Sequence, residues 1–422
     1  MFSLWPTFSR WLWFPLWRIG TTAAIVLASL LKQVNAILYW DDRPVILEED
    51  DVNIWPPNIR PRNIKRALNR RMHGRDRCVD VQYLSHGASH VVLLAKTSYK
   101  EEYVVRVTGS VYEHFQWAHP FWQTYKETSE VASMVALRRL TKIPVPRVYL
   151  FDEDRDNAVG GVWTLQDYME GERLYEFLPE LSGEALEQML QVFHLEFSQI
   201  GSLHFTRPLN EIRDVCDDDL EIRVGRLVTL RDLRMENEYM VGSPKDTDMG
   251  PWDSSKAWLK SIAQGDMDYQ SSFVELDSND EHIRRIQRII DEPEESNGLF
   301  TSGPLSVNAP WCTDMWNTHN IQAVCKDGTV KLVALLDMEG MQIVPRWVLG
   351  RLPLLDELPD ESSRVLWKFL LEDPLYKQAH EQGSKARHLL VLAQNASVPH
   401  WADKRIEEFR DGDWEDNGTL AG

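Results

Sequence analysis

Cys312-Thr313-Asp314-Met315-Trp316-Asn317-Thr318-His319-Asn320 is followed by an apolar run at 321–324, the turn Lys326-Asp327-Gly328-Thr329, a second apolar run at 330–336, and Asp337-Met338-Glu339. The two runs read as paired strands, because Asp327-Gly328 supplies a tight turn with a residue tolerant of positive φ. Folding them about that turn returns Asp337 to the neighbourhood of Asn320. An amide oxygen and a carboxylate at one sheet end make a hard-oxygen site suited to Mg²⁺, and Asp314 on the preceding loop can orient or deprotonate an attacking hydroxyl. The set is chemically sufficient for phosphoryl transfer. The ordinary alternative is a hairpin whose acidic and amide ends only solvate turns and cap elements.

Working outward, Tyr83-Leu84-Ser85-His86-Gly87-Ala88-Ser89-His90-Val91-Val92-Leu93-Leu94 reads as strand, bend and strand around a single glycine. Tyr103-Val104-Val105-Arg106-Val107 is a further β-rich run. The segment 126–140 has apolar positions at helical spacing, with Glu130 one turn before Met134. It is followed by Thr141-Lys142-Ile143-Pro144-Val145-Pro146-Arg147-Val148, where two prolines end the helix and hold the chain extended. Another strand reads over Val162-Trp163-Thr164-Leu165-Gln166-Asp167-Tyr168-Met169. Taken singly, each charged residue here also reads as a solvated strand or helix face.

Together these segments, over 81–347, resemble the aminoglycoside phosphotransferase and choline kinase-like family of the protein kinase-like superfamily, especially its fungal branch. The resemblance implies an α+β, two-lobed protein kinase-like fold. Its N-lobe, an antiparallel sheet plus a helix, would take 81–170, and its mainly helical C-lobe 171–390. It also implies roles. Ser85 and the backbone around Gly87 would face nucleotide phosphates. Arg106, where protein kinases carry Lys, would hold the α- and β-phosphates and pair with Glu130. The main chain from Asp167 to Met169 would take the adenine. Asp314 would be the catalytic base, and Asn320 and Asp337 the metal ligands. The implied activity is ATP- and Mg²⁺-dependent transfer to a small-molecule hydroxyl; the rival is a catalytically weak or inactive pseudokinase-like scaffold. Three departures bear on that choice: Arg106 stands where protein kinases carry Lys, Cys312 stands where the family has His, and Asn320 follows Asp314 by six positions where five is usual, while Asp337-Met338-Glu339 matches the family's Asp-Trp-Glu.

Composition sets outer limits. A chain of 422 residues with 43% hydrophobic content can bury substantial cores. A net charge of −19 opposes phosphate-backbone binding, so no nucleic-acid partner is expected. Four scattered cysteines, with no C-x-x-C spacing, read as reduced thiols. Residues 1–40 contain no acidic residue but hold Arg10, Arg18 and Lys32, with Trp5, Trp11, Trp13 and Trp17 near the start. Three readings follow: a mitochondrial presequence, a secretory signal cleaved near Ala36, or a single membrane anchor, with mitochondrial or membrane-associated placement favoured. The stretch 41–80 reads as a linker with a short basic helix, 183–200 as a long helix capped by Gly201, 235–295 as an insert shaping the substrate pocket, and 391–422 as a C-terminal tail.

Overall fold

The structure, a computed structural model, describes residues 59–72, 77–87, 90–108, 120–154, 157–174, 183–207, 220–228, 248–271, 279–312, 319–351, 360–396 and 399–411. The proposed targeting segment 1–40 and Asp314 lie outside them. Among the described residues no helix is long and apolar enough to cross a membrane.

The first lobe begins with the basic helix α1 (Pro61–Arg71), with proline in its first turn. Its Ile64 and Leu68, one turn apart, are fully buried, each worth about 1.5–3 kcal/mol of burial. The helix therefore belongs to the first lobe's core. Then come β1 (Cys78–His86), β2 (His90–Thr97), β3 (Glu102–Thr108), the long helix α2 (Pro120–Leu140), β4 (Val148–Asp152) and β5 (Trp163–Asp167). The strands form one antiparallel sheet in the order β1-β2-β3-β5-β4. Alternation along β3 decides what each face receives. Val105 and Val107 join Ile64, Leu68, Leu93 and Trp163 in the core under α1, while Arg106 points to the opposite face, towards Glu130 of α2.

The chain crosses to the second lobe through β6 (Glu172–Arg173), which pairs with β10 (Ile321–Lys326), itself the partner of β11 (Thr329–Leu335). A side chain at Gly171 would drive its Cβ to 2.6 Å from Val333 and 3.1 Å from the Ala323 carbonyl, so only glycine lets the crossing pass this close under the hairpin.

The rest of the lobe is mainly helical, as the resemblance implies. It contains α3 (Gly183–His194), the ribbon β7 (Ser202–Phe205) with β8 (Ile222–Gly225), α4 (Ser255–Ser271), α5 (Asn279–Asp291) and the single turn α6 (Glu294–Asn297). β9 (Asn308–Trp311) pairs with β12 (Gln342–Pro345), and α7 (Arg346–Leu349), α8 (Asp360–Glu372), α9 (Pro374–Gln394) and α10 (Pro399–Asp411) complete the chain. One core runs from α2 through β10, β11 and β7 to α8 and α9; another joins α4, α5, α9 and α10.

Two local expectations change. The helix from Gly183 stops at His194, because the following chain pairs with other elements: the Phe197 N–H with the Asn308 carbonyl, and Ile200 with Trp252 in both directions. Gly201 therefore sits against Ile343, seven residues past the end of the helix. The segment read as a C-terminal tail contains α10, whose Ile406 and Phe409, three apart on one face, are buried in the second core.

Candidate active site

The hairpin forms about the expected turn. Lys326 pairs with Thr329, and the two residues between them have positive φ, 54° at Asp327 and 72° at Gly328, as a two-residue turn of this hand requires. Ile321 opposes Leu335, and the Leu336 N–H donates to the Asn320 carbonyl at 2.8 Å. Residues 320 and 337 are thus brought to one end of the hairpin, both half-buried. The Asp337 carboxylate accepts the Glu339 N–H at 3.0 Å, which turns the chain after the strand. Cys312, buried, donates its thiol to the Glu339 carbonyl at 3.0 Å, tying the end of β9 to the same corner.

Across from the hairpin end lies the first lobe's charged face. The Arg106 guanidinium contacts Glu130 at 2.6 Å through Nη1, the pair implied by the resemblance, and the same nitrogen reaches the Leu336 carbonyl at 3.4 Å. The phosphate-clamp candidate is therefore anchored to the residue next to Asp337. Around it the structure adds residues that the sequence reading did not assign. His90 lies 3.0 Å from Arg106 Nη2 through Nδ1, and 3.0 Å from Glu127 Oε2 through Nε2. Lys126 bridges Glu127 at 3.0 Å and Glu339 at 2.5 Å, joining α2 to the Asp337-Met338-Glu339 corner. Lys126, Glu127, Glu130, Glu339 and His90 are all buried.

Such burial is tolerable only because the charges are paired. Desolvation by itself would lower the pKa of Arg106, but the charges of Glu130, Asp337 and Glu127 reverse this and raise it above the ordinary arginine range. Lys126 behaves alike: burial opposes its charge, and Glu127, Glu339 and Glu130 outweigh it, raising its pKa. Burial pushes Glu127 up, yet the hydrogen bond from His90 and the charges of Lys126 and Arg106 hold it well below the usual carboxylate range. Glu130 moves the other way. Burial raises it, and repulsion from Asp337 and Glu127 adds to that against the attraction of Arg106. Among the described residues, four carboxylates (Glu127, Glu130, Asp337 and Glu339) share this corner with two permanent cations, Arg106 and Lys126. The surplus is negative, which suits an added divalent cation.

His90, Glu127 and Glu130 have donor atoms within 4.8 Å of one another, a spacing open to metal ligation. Arg106 and Lys126 already contact that trio, which makes it an ion-pair network and not a cation site. The hard-oxygen pair Asn320 and Asp337 is the better fit to Mg²⁺ by ligand type.

The remaining predicted residues are spread along the first lobe. Ser85 and Gly87 lie exposed at the β1–β2 bend, closed by the Gly87 N–H on the His90 carbonyl at 2.9 Å. A Cβ at Gly87 would meet no atom of the described residues within 4 Å, so packing among them does not demand this glycine. The Asp167 carboxylate accepts from the Arg147 N–H at 2.9 Å and the Tyr149 hydroxyl at 2.6 Å, and thereby holds β4 to β5. Met169, half-buried, follows the end of β5. A separate cleft of about 550 Å³, lined by residues from 196–198, 253–256 and 299–308, lies at the Asn308 end of β9. Four residues of extended chain, about 13 Å, separate it from Cys312.

No family model matches the chain. Among curated proteins it is similar to the subtelomeric hrmA-associated cluster protein of two Aspergillus fumigatus strains, Af293 and CEA10, 29% identical over 143 residues and 32% of this chain in each case. The chain spans about a quarter of the length of these curated relatives, 26% of each. Among solved structures it is similar to a thermostable mutant of the aminoglycoside phosphotransferase APH(4)-Ia in ternary complex with AMP-PNP and hygromycin B. That match has 12% identity over 85% of this chain and 99% of the other, with a TM-score of 0.42. It is also similar to aminoglycoside 2'-phosphotransferase-IIIa in its GDP complex, at 12% identity over 80% of this chain and 94% of the other, with a TM-score of 0.36.

Proposed function

We propose that this chain is a phosphotransferase that moves the γ-phosphoryl group of ATP, with Mg²⁺, onto a hydroxyl of a small molecule. The observation that carries the reading is the 2.6 Å contact of Arg106 with Glu130, made by a guanidinium that also reaches the Leu336 carbonyl beside Asp337. A clamp tied to a helix carboxylate, facing an amide and a carboxylate at a hairpin end, meets the needs of phosphoryl transfer. That reaction asks for positioning and charge neutralisation more than for covalent help from the protein.

In this reading Arg106 binds the α- and β-phosphates through its planar fork. Ser85 and the N–H groups around Gly87 cover the phosphates. The adenine contacts fall to main-chain groups towards Met169, since the Asp167 carboxylate and amide are engaged by Arg147 and Tyr149. Asn320 and Asp337 hold Mg²⁺, which supplies charge neutralisation at the transferred group when bound. Asp314 orients the acceptor hydroxyl and takes its proton. A second reading, a nucleotide-binding scaffold without turnover, is favoured by Cys312, whose buried thiol serves a backbone carbonyl where the resembling family has His.

Calorimetry and thermal shift on the full chain test the proposal, with Mg²⁺ and ATP added separately and together, and Asp337→Ala alongside. The expected result is ATP binding that requires Mg²⁺ and weakens at least about tenfold in the variant. Folded wild-type protein that binds no ATP with Mg²⁺ present would overturn it. Binding without phosphoryl transfer to any hydroxyl acceptor, water included, would select the scaffold.

A further inference from the structure

His90 opens β2, three residues after Gly87, and is 6% exposed. It pairs across the sheet with Thr108, while Arg106 pairs with Val92, so His90 and Arg106 are diagonal neighbours on one face of adjacent strands. Both ring nitrogens are used, at 3.0 Å each, one on Arg106 and one on Glu127. A guanidinium only donates and an ionised carboxylate only accepts. Nδ1 must therefore be the acceptor and Nε2–H the donor, which defines a neutral ring in a single tautomer.

The consequence falls on the arginine. Its fork is held at Nη1 by Glu130 and at Nη2 by His90, from two different elements. The contacts at Nη1, from Glu130 and more distantly from the Leu336 carbonyl at 3.4 Å, leave the fork free to turn about that nitrogen, and the contact at Nη2 sets its plane. Glu127 fixes the ring that does this, and Lys126 fixes Glu127. A histidine placed only for packing would need neither nitrogen aimed at the charged cluster.

We propose that His90 is a positioning residue for the Arg106 phosphate clamp: its ring sets the plane of the guanidinium in which the phosphates are met. This rests on the phosphoryl-transfer reading above. Lys cannot be oriented in this way, since an ammonium has no plane to set, so a histidine at this position complements the arginine at 106.

The test uses the full chain with His90→Leu, which removes both bonds, and His90→Gln, whose planar amide offers one acceptor and one donor. Affinity is measured by calorimetry for ATP with Mg²⁺ and for adenosine, which has no phosphate. His90→Leu is expected to weaken ATP about tenfold and leave adenosine unchanged, and His90→Gln to recover most of the loss. In parallel, nitrogen-15 NMR of nucleotide-free protein follows the Arg106 guanidinium protons. They should exchange slowly in wild type and His90→Gln and at least about tenfold faster in His90→Leu. If His90→Leu does not fold, His90→Asn, whose shorter amide cannot span both partners, replaces it.

Equal weakening of ATP and adenosine, unchanged ATP affinity, or unchanged guanidinium exchange would overturn the role of His90. Wild-type protein that binds no ATP overturns the clamp itself, a result visible before any variant is made.

Discussion

Lys126, Glu127, Glu130 and His90 are each at most 6% exposed and hold one another through contacts of 2.6–3.0 Å with Arg106 and among themselves, whereas Asn320 and Asp337, across the same corner, are half-buried at a hairpin end. The two halves are made by different physics. In the first, each charge is tolerable only while its partner stays, so removing one leaves another desolvated and uncompensated. In the second, backbone pairing brings the residues together, and their side chains can change with little cost to the fold. Stability and chemistry should therefore separate along this line.

The largest expected effect lies on the buried side. Glu130→Ala strands the Arg106 guanidinium, and urea unfolding should show a loss of about 3–5 kcal/mol. A loss below about 1 kcal/mol would mean that water reaches the pair and that the contrast is false. On the hairpin side, Asp337→Asn should leave unfolding stability within about 1 kcal/mol of wild type. Steady-state phosphoryl transfer should fall by about 10²–10³-fold or more. A variant that instead unfolds would place Asp337 among the structural charges.

Acid stability sharpens the comparison. His204 on β7 stacks on Tyr125, the residue before Lys126, with ring centroids 4.4 Å apart, and donates from Nε2 to the Arg226 carbonyl at 2.8 Å. Burial pushes its pKa down to about 4 against that hydrogen bond, with the Arg223 charge adding to the fall. The unfolded chain takes this proton near 6.5, so the contribution of His204 is complete above that pH and is lost as pH falls towards 4. Glu127, held below its ordinary range, loses its contribution only at lower pH, beneath the usual glutamate value. Wild-type protein should lose on the order of 1–2 kcal/mol between pH 7 and 5 through His204. His204→Gln should flatten that slope; an unchanged slope would assign the acid sensitivity elsewhere. The smallest effect is expected at the turn, where Gly328→Ala should cost about 1 kcal/mol by thermal unfolding, from a side chain forced to a φ of 72°. No measurable cost would mean the turn relaxes to another type.

Legibility in the sequence divides along the same line. The hairpin could be read because its cause is local: apolar runs around Asp327-Gly328 leave few other ways to turn. The Arg106–Glu130 pair follows from the resemblance, since nothing across a separation of 24 positions announces that a strand arginine will meet a helix glutamate. His90, Lys126, Glu127 and Glu339 were passed over. Three charges within five residues at the start of a helix look like a solvated face, and a histidine after a glycine bend looks like loop. The available signal was their type: Lys126, Glu127 and Glu130 lie on neighbouring turns of a helix whose later residues, Val131 to Leu137, are entirely buried. A helix buried all round offers its charges no water.

Strand alternation, the turn at 327–328 and the helical spacing after Glu130 follow from the order of residues, because backbone preference acts over a few positions. Which charges would be sealed from solvent, and which partners would hold them, depended on β2, β3, α2 and the Asp337-Met338-Glu339 corner arriving at one place. A charge's free energy is set by everything within several ångströms of it, and those neighbours can be distant in the chain, as Lys126 and Glu339 are, 213 positions apart.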